Sequence, residues 1–115
     1  MSGRYSRTKG HSWEREIAKQ LREIGFKDCI TVRESRLGNW SRTDDGRDVV
    51  GTPGFAIQVK SRRDYCPVST IEEITVYPKE NEMRLVVTKA NNKEVMAIIP
   101  WEDLKLLIKV YRDKI

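Results

Sequence analysis

Histidine and cysteine are scarce in this chain: His11 stands alone, and Cys29 and Cys66 are the only thiols among 115 residues. A lone histidine leaves no Ser/His/Asp set, and neither a Cys-x-x-Cys pair nor a phosphate-cradling glycine loop is present. The two cysteines lie far apart without metal-ligand spacing, which in a reducing compartment suits small core or boundary residues rather than a disulfide. His11 lies at a helix start and reads as a surface or phosphate-contacting residue rather than a general base. No apolar run approaches membrane-span length, and Met1 to His11 is polar and basic, unlike a signal peptide. These absences predict an intracellular, cytoplasmic protein with no membrane partner. Internal repeats and low-complexity tracts are absent too.

What remains is a small, charged, basic chain. A hydrophobic fraction of 38% beside 34% charged residues suits one soluble domain, 1–115, with a modest core. A chain of this length buries roughly two thirds of its unfolded surface. The net charge of +5 points toward a polyanionic partner, although basic surfaces also occur without nucleic-acid function. Residues 1–9 carry Arg4, Arg7 and Lys9 and no acid. They read as a flexible basic arm, either solubilising or following a phosphate backbone.

The most informative stretch runs from Arg47 to Lys60. Two short apolar runs flank Gly51-Thr52-Pro53-Gly54, where proline second and glycine third suit a turn, so the stretch reads as a β-hairpin. Alternation puts Phe55, Ile57 and Val59 on one face and Ala56, Gln58 and Lys60 on the other. Folding about Pro53 sets Asp48 nearly opposite Gln58, with facing side chains roughly 5 Å apart. An acid, an amide and a lysine then converge on one face. This is the outline of a metal-assisted phosphodiesterase site.

A helix from Ser12 to Ile24 precedes it, with Trp13, Ile17, Leu21 and Ile24 on one stripe and Gly25 as its stop. The helical wheel turns Glu14 toward that stripe and Glu16 toward solvent. A carboxylate on a core face needs a cation, a metal or hydrogen bonds, unless it reaches water at the stripe's edge. Cys29 to Arg33 reads as a strand. Ser35 to Gly46 is a long polar loop in which Arg36 and Arg42 flank Trp40. Arginines there suit phosphates and the ring a base, or the ring simply anchors the loop. Arg33, Arg47, Arg62 and Arg63 add cations around the same stretch.

Val68 to Val76 is either a short helix or a strand, ended by Pro78. Met83 to Thr88 and Glu94 to Ile99 read as strands joined at Asn91-Asn92. Trp101 to Arg112 reads as a last helix, striped by Leu104, Leu107, Ile108 and Tyr111. The resulting order predicts an α/β sandwich with a central mixed five-stranded sheet flanked by helices.

Phosphodiester cleavage needs a cation to offset phosphoryl charge, an activated water and help for the leaving alkoxide. Mg²⁺ prefers hard oxygens and keeps several waters, so one or two carboxylates suffice. Asp48 is the clearest ligand, with the Gln58 amide oxygen and the Val59 carbonyl beside it. Lys60 would orient or help deprotonate the water, and Glu14 would complete the cluster. Asp44 and Asp45 precede Gly46 in what reads as a solvated turn.

Three runs carry a resemblance: K-G-H-S-W-E-R-E-I-A-K-Q-L-R-E-I-G-F, G-R-D-V-V-G and F-A-I-Q-V-K-S-R. Together they resemble the PD-(D/E)xK nuclease superfamily, most closely its archaeal-type Holliday junction resolvases. The likeness covers residues 9 to 63 well and the later strand-strand-helix order more loosely. It implies a restriction-endonuclease-like fold, with the family's glutamate at Glu14, its aspartate at Asp48, its E-x-K pair at Gln58 and Lys60, and its serine at Ser35. It also implies Mg²⁺-dependent cutting of DNA by homodimers, leaving 5′-phosphates, with Mn²⁺ able to substitute. Arg47 replaces the family's proline. Gln58 replaces a glutamate, as in Mrr-like and virus-type repair nucleases with Q-x-K.

Three functions remain on this reading. One is a resolvase of branched DNA; the next is a related nuclease acting on flaps, nicks or duplex DNA in repair or restriction. The last is a DNA-binding module on a decayed nuclease fold, against which Glu14, Asp48 and Lys60 speak together. A compact nuclease of this kind suits a phage or mobile element.

Overall fold

The computed structural model describes residues 3–35, 46–74 and 82–115. Helix α1 spans Gly3–Glu23, beginning well before the expected Ser12. No proline interrupts residues 3–23, so the backbone of the basic segment continues the helix rather than preceding it. The other end stops where expected, and the reason is visible. Gly25 takes φ +128°, its N–H bonds the Arg22 carbonyl, and the Phe26 N–H bonds the Leu21 carbonyl. These two bonds cap the orphan carbonyls of the last turn. Ile24 therefore sits at the cap and is 74% exposed, which corrects its place in the apolar stripe.

The segment Cys29–Arg33 forms less strand than its sequence suggests. Strand β1 is only Ile30–Thr31, and a single turn, α2 (Val32–Ser35), follows. Thr31 and Glu34 explain the switch. The Glu34 N–H donates to Thr31 Oγ1 at 2.9 Å, and the Thr31 N–H donates to Glu34 Oε1 at 3.0 Å. That reciprocal pair is a capping box, and T-V-R-E carries its signature.

Strand β2 (Val49–Val50) pairs antiparallel with β1, while β3 (Phe55–Arg62), β4 (Met83–Ala90) and β5 (Met96–Ile98) form a second sheet. Among the described residues the expected single five-stranded sheet is not formed; there are sheets of two and three strands. Gly51 follows β2 directly. It takes φ +84°, and a Cβ there would run into the Asp28 carbonyl, so the chain hugs β1 at this point. The turn after it is as expected: the Phe55 N–H bonds the Thr52 carbonyl and Gly54 takes φ +91°. Asp48 links the two sheets, its N–H donating to the Ile57 carbonyl at 2.8 Å.

The three-stranded sheet is mixed. β3 runs parallel to β4, with Gln58 beside Val86 and Lys60 beside Thr88, and β5 returns antiparallel. Asn92 takes φ 56° in the β4–β5 connection, a conformation asparagine tolerates. A 3₁₀ helix, Val68–Ile74, stands where the sequence left helix and strand open. Helix α3, Trp101–Asp113, closes the chain.

Two apolar clusters sit on opposite faces of this sheet. Ile17 and Ala18 of α1 pack with Cys29, Val49, Ile57 and Val59, joined by Phe55, Leu85 and Val87. Val86 points the other way, to Cys66 and Ile71. Both cysteines are buried thiols, as their isolation in sequence implied. Among the described residues no helix is long and apolar enough to cross a membrane.

Candidate active site

Asp48 is held at the β3 edge that β4 leaves open. Its backbone N–H bonds the Ile57 carbonyl, and its Oδ2 accepts the Val59 N–H at 2.7 Å. The two bonds straddle Gln58, but the expected β-hairpin does not form: among the described residues β2 pairs with β1 and not with β3. In a strand, one residue's N–H and C=O point toward the same side. The Val59 carbonyl therefore shares an edge with the Asp48 carboxylate.

Gln58 and Lys60 alternate with the core residues Ile57 and Val59. Gln58 is 4% exposed, with its Oε1 atom fully buried, and Lys60 is half-buried. A primary amide tolerates such burial better than a carboxylate, because it carries no charge to desolvate.

Glu14 reaches this neighbourhood from α1. It is half-buried, and its carboxyl is pushed up to about 7 from an ordinary 4.5. Burial is the largest cause and the nearby Asp48 charge adds to it, while Arg33, Lys60 and Arg15 pull the other way. Glu14 thus feels both Asp48 and Lys60. The helix, the bridging aspartate and the β3 lysine belong to one electrostatic cluster. Glu16, the other glutamate of E-R-E, accepts a bond from Gln20 on the exposed surface.

The acids of the cluster are Asp48 and Glu14, and the Val59 carbonyl lies on the same strand edge as Asp48. Gln58 lies on the face of β3 that carries Val86, away from α1. Among the described residues no three His, Cys, Asp or Glu side chains group together. A divalent ion here would accordingly rest on Asp48 and Glu14 with neutral oxygens and water, a set that fits Mg²⁺ or Mn²⁺ rather than a soft metal. Two half-buried acids that repel one another also gain from a cation between them.

The expected DNA contacts fare unevenly. Arg33 is exposed beside Glu14, and Arg62 and Arg63 are exposed where β3 ends. Ser35 is buried and donates its hydroxyl to the Val32 carbonyl at 2.7 Å, which closes the α2 turn. Arg47 forms a two-pronged pair with Glu82, at 2.7 and 3.1 Å, and both side chains are 11% exposed. That pairing ties the residue before Asp48 to the start of β4. The side chains of Arg4, Arg7, Lys9, Arg36 and Arg42 lie outside the described residues, as does Trp40.

One cation escapes the sequence pattern. Lys89 sits beside Ser61 in the β3–β4 register, and its amine lies 5.6 Å from the centroid of Trp13, the residue before Glu14. Only the parallel pairing of two strands distant in sequence brings it there. No protein-family model, curated protein or solved structure matches this chain.

Proposed function

We propose that this protein is a metal-dependent DNA endonuclease that hydrolyses phosphodiester bonds in Holliday junctions or other branched DNA. The observation that carries the reading is the Glu14 carboxyl, pushed up by burial and by Asp48 while Lys60 stands near enough to oppose the shift. Two mutually repelling, half-buried carboxylates beside a lysine are costly as a purely structural arrangement. They suit a site that gathers a cation and an anionic substrate. The branched-DNA preference rests on the resemblance, and the net charge of +5 favours a polyanion in general.

Asp48, Glu14 and the Val59 carbonyl would hold Mg²⁺ or Mn²⁺. When bound, the ion supplies Lewis acidity toward the scissile phosphate and toward water. The Val59 N–H fixes the orientation of the Asp48 carboxylate, so the ligand is preorganised. Lys60 offsets charge on the phosphoryl oxygens and orients the attacking water. That water's oxygen bonds to phosphorus as the bond to O3′ breaks, leaving a 5′-phosphate and a protonated 3′-hydroxyl. Arg33, Arg62 and Arg63 hold the flanking backbone.

Asp48→Ala and Lys60→Ala separate chemistry from binding. Each should abolish cutting, a loss of at least about 10³-fold, while gel-shift affinity for the same DNA stays within several-fold. Normal cutting by both variants would remove this site from consideration.

A further inference from the structure

We propose that Tyr65, with Lys93 against its ring, is a stacking seat for an unpaired base of the DNA, placed where β3 ends. The inference rests on the nuclease reading for the identity of the polymer; the contact itself rests on the surface.

β3 and β4 are parallel, so both leave the sheet at the same end. The segment after Arg62 is tied there to β4 and to the connection that follows it. The Asn91 N–H donates to the Arg63 carbonyl at 3.2 Å, and the Cys66 N–H donates to Thr88 Oγ1 at 3.1 Å. The Tyr65 hydroxyl donates to the Glu94 carbonyl at 2.6 Å. Thr88 stands beside Lys60 in the register, so Tyr65 adjoins the strand position next to the proposed catalytic lysine.

The Tyr65 hydroxyl is satisfied, yet the residue remains 37% exposed. The Lys93 amine lies 5.6 Å from its ring centroid. A ring held by its hydroxyl and by a cation has little freedom left to lose when a base stacks on it. Arg62, Arg63 and Lys93 are exposed around it, against the acids Asp64 and Glu94. Lys60 precedes Arg62 by two residues, roughly 7 Å along the strand. Cations interleaved with an exposed aromatic suit a single strand, whose phosphates meet the cations while a base meets the ring. A continuous duplex keeps its bases stacked on one another, whereas a flap or a branch point can present one to Tyr65.

Fluorescence anisotropy of the full chain in EDTA, where nothing is cut, reads this contact. The probes are a labelled oligo-dT and an abasic strand of equal length and charge. The native protein should hold oligo-dT at least about fivefold more tightly. Tyr65→Ala should erase that difference, and Tyr65→Phe should keep it. Lys93→Ala should weaken binding of both strands and lower the salt slope by about 0.7. Equal native affinity for the two strands overturns the inference, as does a Tyr65→Ala protein that still prefers oligo-dT. The native comparison needs no variant, so misfolding of Tyr65→Ala leaves the test standing. Failure of the nuclease reading shows itself separately, as a preference for oligo-dT without any cutting in Mg²⁺.

Discussion

The site can be followed atom by atom in Glu14. Its carboxyl holds a proton more tightly when folded, at about 7, than at the ordinary 4.5. Between those values the folded chain binds more protons than the unfolded one, so this group's contribution to stability falls as pH rises through that window. Below 4.5 the penalty is absent, and above 7 it is complete. Glu14→Gln should therefore stabilise the metal-free protein at pH 8 by roughly 1 kcal/mol, a figure reduced for partial solvent access. At pH 4 the gain should vanish. Urea unfolding in EDTA at the two pH values measures it, and an equal effect at both would show that Asp48 and burial do not act on Glu14 as described. Gln58 shows the complementary logic. It is 4% exposed and carries no charge to desolvate.

Among the elements, the loop into β2 and the start of β4 are joined by Arg47 and Glu82. Arg47→Ala would leave a nearly buried carboxylate without this cation, at a cost of about 3 kcal/mol. The urea midpoint should fall accordingly, and because Asp48 follows Arg47 directly, Mg²⁺-induced stabilisation should shrink as well. A wild-type midpoint would assign the pair no structural weight. Sequence could not have found this contact, because it joins residues 35 apart across a strand crossing. It read Arg47 as a departure from a family proline and as a DNA contact.

Other elements were legible because their signals are local. The Pro53-Gly54 turn, the Gly25 stop, the Asn91-Asn92 connection and the alternation of Phe55 to Lys60 all depend on neighbouring residues. Glu14's inward turn followed from helical spacing for the same reason. The capping box at Thr31 and Glu34 was equally local, yet β-branched residues at Ile30, Thr31 and Val32 favoured a longer strand. The pairing of β2 with β1 depended on the approach of Gly51 to Asp28, which no periodicity records.

On the scale of the whole molecule, α1 and the 3₁₀ helix cover the two faces of the mixed sheet, and Asp48 is hydrogen-bonded along the β3 edge opposite β4. Arg62 and Arg63 are exposed at the end of β3, beyond the half-buried Lys60. A four-way junction offers two symmetric strands for cutting, whereas a linear duplex offers none in that geometry. The most direct measurement is incubation of the pure protein with a labelled four-way junction and a matched linear duplex, each with Mg²⁺, Mn²⁺ or EDTA. Metal-dependent cuts confined to the junction, abolished by EDTA, are the expected result. Cutting of the linear DNA instead would keep the chemistry and change the substrate; binding without cutting under either metal would contradict a catalytic role for Glu14, Asp48 and Lys60.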